Sequence, residues 1–441
     1  MRSKLLLIIP LLFLAMGVLF FSQSVRQFQV KTQSKAEESI RIDFGTSNPN
    51  DDKLMLEMGV QLDDIANTTA VLMIRNTFAG TPTFIHMKNP SPDVVNHDNF
   101  ATLEQSGFFW MFSSNSYASL TAIAQAYYAK FPGKKALFEL TNHEATNQAE
   151  TSTFASAFPQ AKFYASDFTN WNRERARKLI GTKMVGAQDC SGEDNTQALI
   201  HPAIDGLSYH IDLSSGNRGE NPAEDIALFW DEMFDASRDI AGQSVSVCWP
   251  HKRFNLAVSE IQFTPGKDHS ETSFFGVLLD AFFNYASVRG AEGRESQAVP
   301  IRYVGIGTLP RFSENARQVL KVFAHMAKDQ MLVVHPGTGS GVNLRDAQMP
   351  FFRIVGYSEN KGFRGIFVNA SADVKTITLP SGITSAYQVS SSQQGVLPRI
   401  TAQNGLSIQP YEVVAIYQGN FPTDVPLPTP TPGNPTETPA L

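Results

Sequence analysis

The stretch Ala136-Leu137-Phe138-Glu139-Leu140-Thr141-Asn142-His143-Glu144 constrains this chain more than any other. An apolar run feeds directly into a dense polar cluster, and a helical-looking segment, residues 145–158, follows. That is the build of a parallel strand buried on both faces, delivering carboxylates at the open end of an α/β barrel. Leu256-Ala257-Val258-Ser259-Glu260-Ile261-Gln262-Phe263 repeats it, with one carboxylate inside a short apolar strand. The two stretches lie far enough apart for several further strand–helix units between them.

The remaining chain supplies such units. Residues 40–45 alternate and stop at Gly45, residues 71–76 are apolar and then polar, and residues 108–112 run into Ser113-Ser114-Asn115; each reads as a strand. Leu120, Ile123, Ala124 and Tyr127 recur at helical spacing, and Pro132-Gly133 ends that helix. Further strands are expected at 183–189, 204–210 and 301–306, with an edge at 245–247. Helices are expected at 168–180, from Asn221-Pro222 to Ala241, at 273–289 and at 313–327. Strands alternating with helices call for a parallel sheet, and their number fits a closed (β/α)8 barrel. From Gln330 the helical period disappears and short strands separated by Gly, Asn and Ser follow, which predicts an all-β sandwich.

The expected organisation of the 441 residues is therefore a leader at 1–24, a catalytic-type barrel at 40–329, a β-sandwich at 330–418 and a Pro/Thr-rich tail at 419–441. In the leader, Arg2 and Lys4 precede an apolar run from Leu5 to Phe21, and small residues follow at Ser22 and Ser24. That pattern is a secretory signal, or an anchor if it stays uncleaved, so the protein is expected to be secreted or held at the cell surface. A net charge of −6 with no basic face speaks against a nucleic-acid partner. Cys190 and Cys248 allow one disulfide or two buried thiols. The Asp51-Asp52 and Asp63-Asp64 pairs lack metal-ligand spacing, and neither a metal nor a cofactor is expected.

Two carboxylates on separate barrel strands suit glycosidic-bond hydrolysis. One protonates the leaving oxygen, while the other attacks the anomeric carbon from about 5–5.5 Å away in a retaining enzyme. Glu144 and Glu260 are the candidate pair. A buried glutamate without a partner is costly, which singles out Glu260 in its apolar strand. Simple alternation puts Leu256, Val258 and Glu260 on one face, pointing into the barrel. Tyr209 and His210 end a strand at the same rim, and Arg75 and Asn115 close two others; all four are candidate carbohydrate contacts. Trp110 and Trp249 fit core packing better than a sugar platform.

Residues 138–144 also resemble the strand-four signature of the retaining glycoside hydrolases with a (β/α)8 barrel, clan A, in which an Asn stands just before the acid/base Glu. Val258-Ser259-Glu260-Ile261 is similar to that clan's strand-seven nucleophile, and Leu207-Ser208-Tyr209-His210 to its strand-six segment. The strands ending Pro410-Tyr411-Glu412-Val413-Val414-Ala415-Ile416 look like the sandwich of xylosidase-, arabinofuranosidase- and glucuronidase-type members. The resemblance implies an exported retaining glycosidase acting on an oligo- or polysaccharide, with Asn142 on the sugar 2-hydroxyl. One departure stands out: His143 separates Asn142 from Glu144. Either the strand end bulges, or Glu139 or another group is the acid, or the site has decayed into a non-catalytic carbohydrate-binding or structural protein.

Overall fold

The computed structural model describes residues 40–41, 56–81, 83–141, 148–174, 176, 204–244, 255–290, 301–326, 330–334, 351–358, 362–378, 383–389 and 406–418. Eight parallel strands close a barrel: β2 (Glu57–Gln61), β3 (Thr83–Lys88), β4 (Phe109–Ser114), β5 (Ala136–Leu140), β6 (Lys162–Thr169), β7 (Gly206–Asp212), β8 (Asn255–Gln262) and β9 (Ile301–Ile306), with β9 pairing back to β2. Helices α1 (Thr68–Phe78), α2 (Asp98–Gln105), α3 (Tyr117–Lys130), α4 (Gln148–Ala157), α5 (Pro222–Ser244), α6 (Ser270–Gly290) and α7 (Glu314–Met326) alternate with them. The expected barrel is present.

Three strands and one helix depart from the sequence reading. Residues 71–76 form the middle of α1 rather than a strand. Asn67 caps that helix by accepting the Ala70 N–H at 3.0 Å, and Ala70, Val71, Ile74, Thr77 and Phe78 are buried at helical spacing. The apolar run Val71-Leu72-Met73-Ile74 thus straddles two faces of a helix. Strands β2, β3 and β6 were not evident, because Gly59, His86, Lys88 and Asp167 break their apolar runs. The strands expected at 183–189 and 245–247, both cysteines and the leader lie outside the described residues. Among the described residues no helix is long and apolar enough to cross a membrane.

Inside the barrel, Phe84, Met111, Leu137, Tyr164, Ala257 and Tyr303, from six different strands, form a plug of their own. The Phe84 and Tyr164 rings stand edge-on to Tyr303 at 6.1 and 5.7 Å. Residues of opposite parity, among them Ile85, Trp110, Phe138, Leu207, Tyr209, Leu256 and Val258, belong to the larger core shared with the helices. Trp110 is buried there, stacked on Phe100 of α2 at 3.7 Å and donating to Glu104 at 2.7 Å. Its role is packing.

The sandwich follows. One sheet is antiparallel, in the order β10 (Gln330–Val334), β11 (Phe351–Ser358), β12 (Gly362–Asn369), β16 (Val413–Gln418) and β14 (Ile383–Val389). The other contains β1 (Ile40–Arg41), β13 (Lys375–Thr378) and β15 (Leu406–Ile408). The segment ahead of the barrel is therefore part of the sandwich, with Ile40 paired to Ile377. Alternation builds two interfaces from single strands. Phe367, Val414 and Ile416 fill the space between the sheets, while Ile366, Val368, Val413 and Ala415 join the barrel core beside α6 and α7. The Thr272 hydroxyl on α6 donates to the Tyr411 carbonyl, and the His269 ring stacks on Tyr411 at 3.9 Å.

Candidate active site

The inward side chains above the aromatic plug, at the carboxyl ends of the strands, are polar. His86 and Lys88 come from β3, Ser113 from β4, Glu139 from β5, Ser208 and His210 from β7, and Glu260 from β8. A barrel strand repeats its inward face every second residue, so each of these except Glu260 sits two or four positions beyond a plug residue or its equivalent on the same strand.

Glu260 is three positions beyond Ala257 and faces inward only because of a bulge. Tyr209 is paired with Val258, but the next residue, His210, is paired with Glu260, so Ser259 is an extra residue on β8. Across the other edge, Val258 pairs with Val304 and Ile261 with Ile306, which again leaves one extra residue on β8. Regular alternation from the inward Ala257 would have sent Glu260 outward. The face proposed from sequence is thus corrected: Leu256 and Val258 pack outward, and the insertion alone brings Glu260 inside. Gly305 makes room for it, since a Cβ there would lie 1.9 Å from the Ser259 carbonyl oxygen.

Glu260 is 2% exposed, and its Oε2 accepts from the Lys88 ammonium. Burial pushes its carboxyl up. The Lys88 charge and hydrogen bond, a hydrogen bond from Gln262 and the charge of His210 outweigh that and hold it below the usual carboxylate range. Glu139, one layer deeper, is fully buried. Its Oε2 is 3.5 Å from His86 Nε2, which also lies 2.9 Å from Ser113 Oγ. Burial again pushes up, but His86, His210 and Ser208 together hold Glu139 low. Both carboxyls are thus held below the usual range, and the charge of His210 contributes to each.

The other site residues read from sequence fall in different places. His210 points inward, but its neighbour Tyr209 must point the opposite way. Tyr209 is buried among the outer core residues with its ring 5.6 Å from Trp171, so it is removed from the rim. Arg75 sits in the last turn of α1, in the outer ring, rather than at a strand end. Asn115 is exposed just beyond β4 on the carboxyl face. Asn142, His143 and Glu144 lie outside the described residues, as does Trp249. Sequence reasoning missed His86, Lys88, Ser113 and Ser208. The signal for the first two was the period-two spacing of Phe84, His86 and Lys88 in one strand. Among the described residues no group of three or more His, Cys, Asp or Glu is placed to hold a metal ion.

Fold and site together define a (β/α)8 barrel with a buried, ionised carboxylate layer at its carboxyl face and a β-sandwich packed against its last helices. No protein-family model matches the chain, and no curated protein does. Among solved structures, the catalytic domain of the GH30 xylanase C from Talaromyces cellulolyticus is similar at 10% identity and a TM-score of 0.45, over 85% of this chain and 99% of that one. A conserved exported protein from Bacteroides fragilis is similar at 9% identity and 0.46, over 86% and 100%. A β-porphyranase of glycoside hydrolase family 86 from Bacteroides plebeius is similar at 10% identity and 0.33, over 87% and 76%. Neighbours of this barrel thus include glycoside hydrolases, at a level of likeness that leaves the functional reading to the site itself.

Proposed function

We propose that the protein is an exported, retaining glycoside hydrolase that cleaves an oligo- or polysaccharide by double displacement. The observation that carries this reading is Glu260: an ionised carboxylate brought into the barrel mouth by a one-residue insertion and supported by Lys88 and His210. A bulge that redirects one acidic side chain is a common device beside reactive centres. Glu260 is the nucleophile. One of its oxygens bonds to the anomeric carbon as the glycosidic C–O bond breaks, and Glu144 gives its proton to the departing oxygen. Water, deprotonated by Glu144, then displaces the sugar from Glu260 with a second inversion. Glu139 lies one layer deeper, fully buried with its Oε2 3.5 Å from His86 Nε2, so the proton transfer is assigned to Glu144 rather than to it. Export rests on the basic and apolar start of the chain.

The Lys88 contact favours a second reading, a non-catalytic carbohydrate-binding protein on the same fold. An ammonium seated on Glu260 lowers its basicity and covers one of its two oxygens. The two readings separate in a screen of aryl glycosides followed by variants. In the enzyme, Glu260→Gln loses nearly all turnover, while Glu144→Gln spares substrates with good leaving groups. A protein that binds sugars and hydrolyses none of the panel is the non-catalytic form.

A further inference from the structure

The loops that leave β7 and β8, residues 213–221 and 263–269, stand side by side at the carboxyl face, next to the strand ends that carry His210 and Glu260. Two backbone hydrogen bonds join them: the Leu213 N–H to the Gln262 carbonyl at 2.8 Å, and the His269 N–H to the Gly219 carbonyl at 3.0 Å. Between these points the Lys267 ammonium enters the first loop. It donates to three of its carbonyls, those of Ser214 at 3.2 Å, Gly216 at 2.8 Å and Arg218 at 3.2 Å. Other groups hold the outside of the loop. Asp212 Oδ1 accepts from the Ser214 N–H at 2.7 Å and from its hydroxyl, Arg218 donates to the Asp212 carbonyl at 2.8 Å, and Asp225 Oδ2 accepts the Gly219 N–H at 2.7 Å. Gly216 and Gly219, at φ 59° and 86°, supply the left-handed turns that let alternate carbonyls face one point.

Three carbonyl oxygens drawn to one point repel one another unless a cation sits among them. An ammonium carries three N–H donors and no acceptor, so Lys267 matches the three oxygens one for one. Backbone carbonyls that stand in for a hydration shell are also how channels hold a bare monovalent cation. All three acceptors are neutral, which suits a singly charged ion; calcium sites draw on carboxylates. Lys267 is half-buried, so water can complete an ion's shell from the open side. We propose that the carbonyls of Ser214, Gly216 and Arg218 form a monovalent-cation site whose occupant is the chain's own Lys267 ammonium, and that this cation fixes the β7–α5 loop as a wall of the barrel mouth. Lys267 is then a positioning residue. With its side chain removed, the site takes up a free potassium or ammonium ion instead. The site stands independently of the glycosidase reading, because it needs only the two loops.

The test is hydrogen–deuterium exchange, followed by mass spectrometry on the full chain, in peptides covering residues 213–221. Wild type, Lys267→Ala and Lys267→Met are compared at one ionic strength in potassium, ammonium and tetramethylammonium chloride. Tetramethylammonium is too large for the cage. In that salt Lys267→Ala should lose protection in the loop by roughly tenfold or more, and potassium or ammonium should restore most of it. Wild type should exchange alike in all three salts. Lys267→Met keeps the apolar stem and loses only the charge, so in tetramethylammonium it should lose protection as well. Wild-type protection in either variant in tetramethylammonium overturns the ordering role of the charge. A loss in Lys267→Ala that is equal in all three salts overturns the cation site. If Lys267→Ala does not fold in tetramethylammonium, a native melting transition regained in potassium supports the proposal, and none in any salt overturns it. Each of these outcomes leaves the glycosidase reading where it stands.

Discussion

Replacing Gly305 by alanine tests whether the β8 bulge is what places Glu260. The added Cβ would lie 1.9 Å from the Ser259 carbonyl oxygen and 2.8 Å from its carbon. Tolerated carbon–oxygen contacts are about 3.3–3.6 Å, so the carbonyl must retreat by more than ~1 Å. It belongs to backbone at the bulge and cannot rotate aside as a side chain would. Overpacking of this kind costs about 1–3 kcal/mol and sometimes more, and a rigid backbone obstacle belongs at the upper end. For a domain of this size, that corresponds to a fall in melting temperature of roughly 5–10 °C. The matched control is Gly307→Ala, whose nearest atoms, Glu260 Oε1 and the Ile261 carbonyl oxygen, are both at 3.9 Å. That variant should melt within about 0.5 kcal/mol of wild type. Thermal denaturation followed by circular dichroism measures both. A Gly305→Ala protein that melts together with wild type would refute the claim that the missing side chain shelters the insertion.

Two further outcomes follow from the packing around β7. Burial, opposed by the Trp171 N–H and the Arg218 charge, raises the Glu232 carboxyl to about 7 from 4.5. A carboxyl whose folded value is raised contributes stability below its unfolded value and loses it as pH climbs through the folded one. Glu232→Gln should therefore change little at pH 4.5 and stabilise the protein at pH 8 by on the order of 2 kcal/mol; equal effects at both pH values would contradict this. Tyr209→Phe should melt within ~1 kcal/mol of wild type and leave hydrolysis unchanged, because its hydroxyl is buried on the helix side of the sheet with no hydrogen-bond partner among the described residues. A large loss of activity in that variant would return Tyr209 to the rim.

The barrel and the sandwich were legible because their signals are long-range and repeated. The rhythm of apolar strands and amphipathic helices, and its change at Gln330, survive local errors. The errors have local causes. An apolar tetrad at Val71–Ile74 looks the same in a buried strand and a buried helix, and the cap at Asn67 decided for the helix. The position of Glu260 on β8 was legible, but the argument for its direction was not. Alternation counted from Leu256 ignores the insertion at Ser259, which depends on a glycine on a neighbouring strand. Tyr209 and His210 illustrate the opposite case, since adjacent strand residues cannot both face one rim. His86 and Lys88 went unread because β3 itself did, and their importance lies in contacts with β5 and β8 that no local pattern encodes.

The central claim is that Glu260 forms a covalent bond to the sugar. The direct measurement is intact-mass and peptide-mapping analysis after incubation with a panel of 2-deoxy-2-fluoro glycosides, neutral and acidic, whose glycosyl-enzyme intermediates hydrolyse slowly. The account predicts one added sugar mass, located on the peptide containing Glu260 and absent from the Glu260→Gln protein. A label carried by a different carboxylate, or hydrolysis by Glu260→Gln at the wild-type rate, would contradict it.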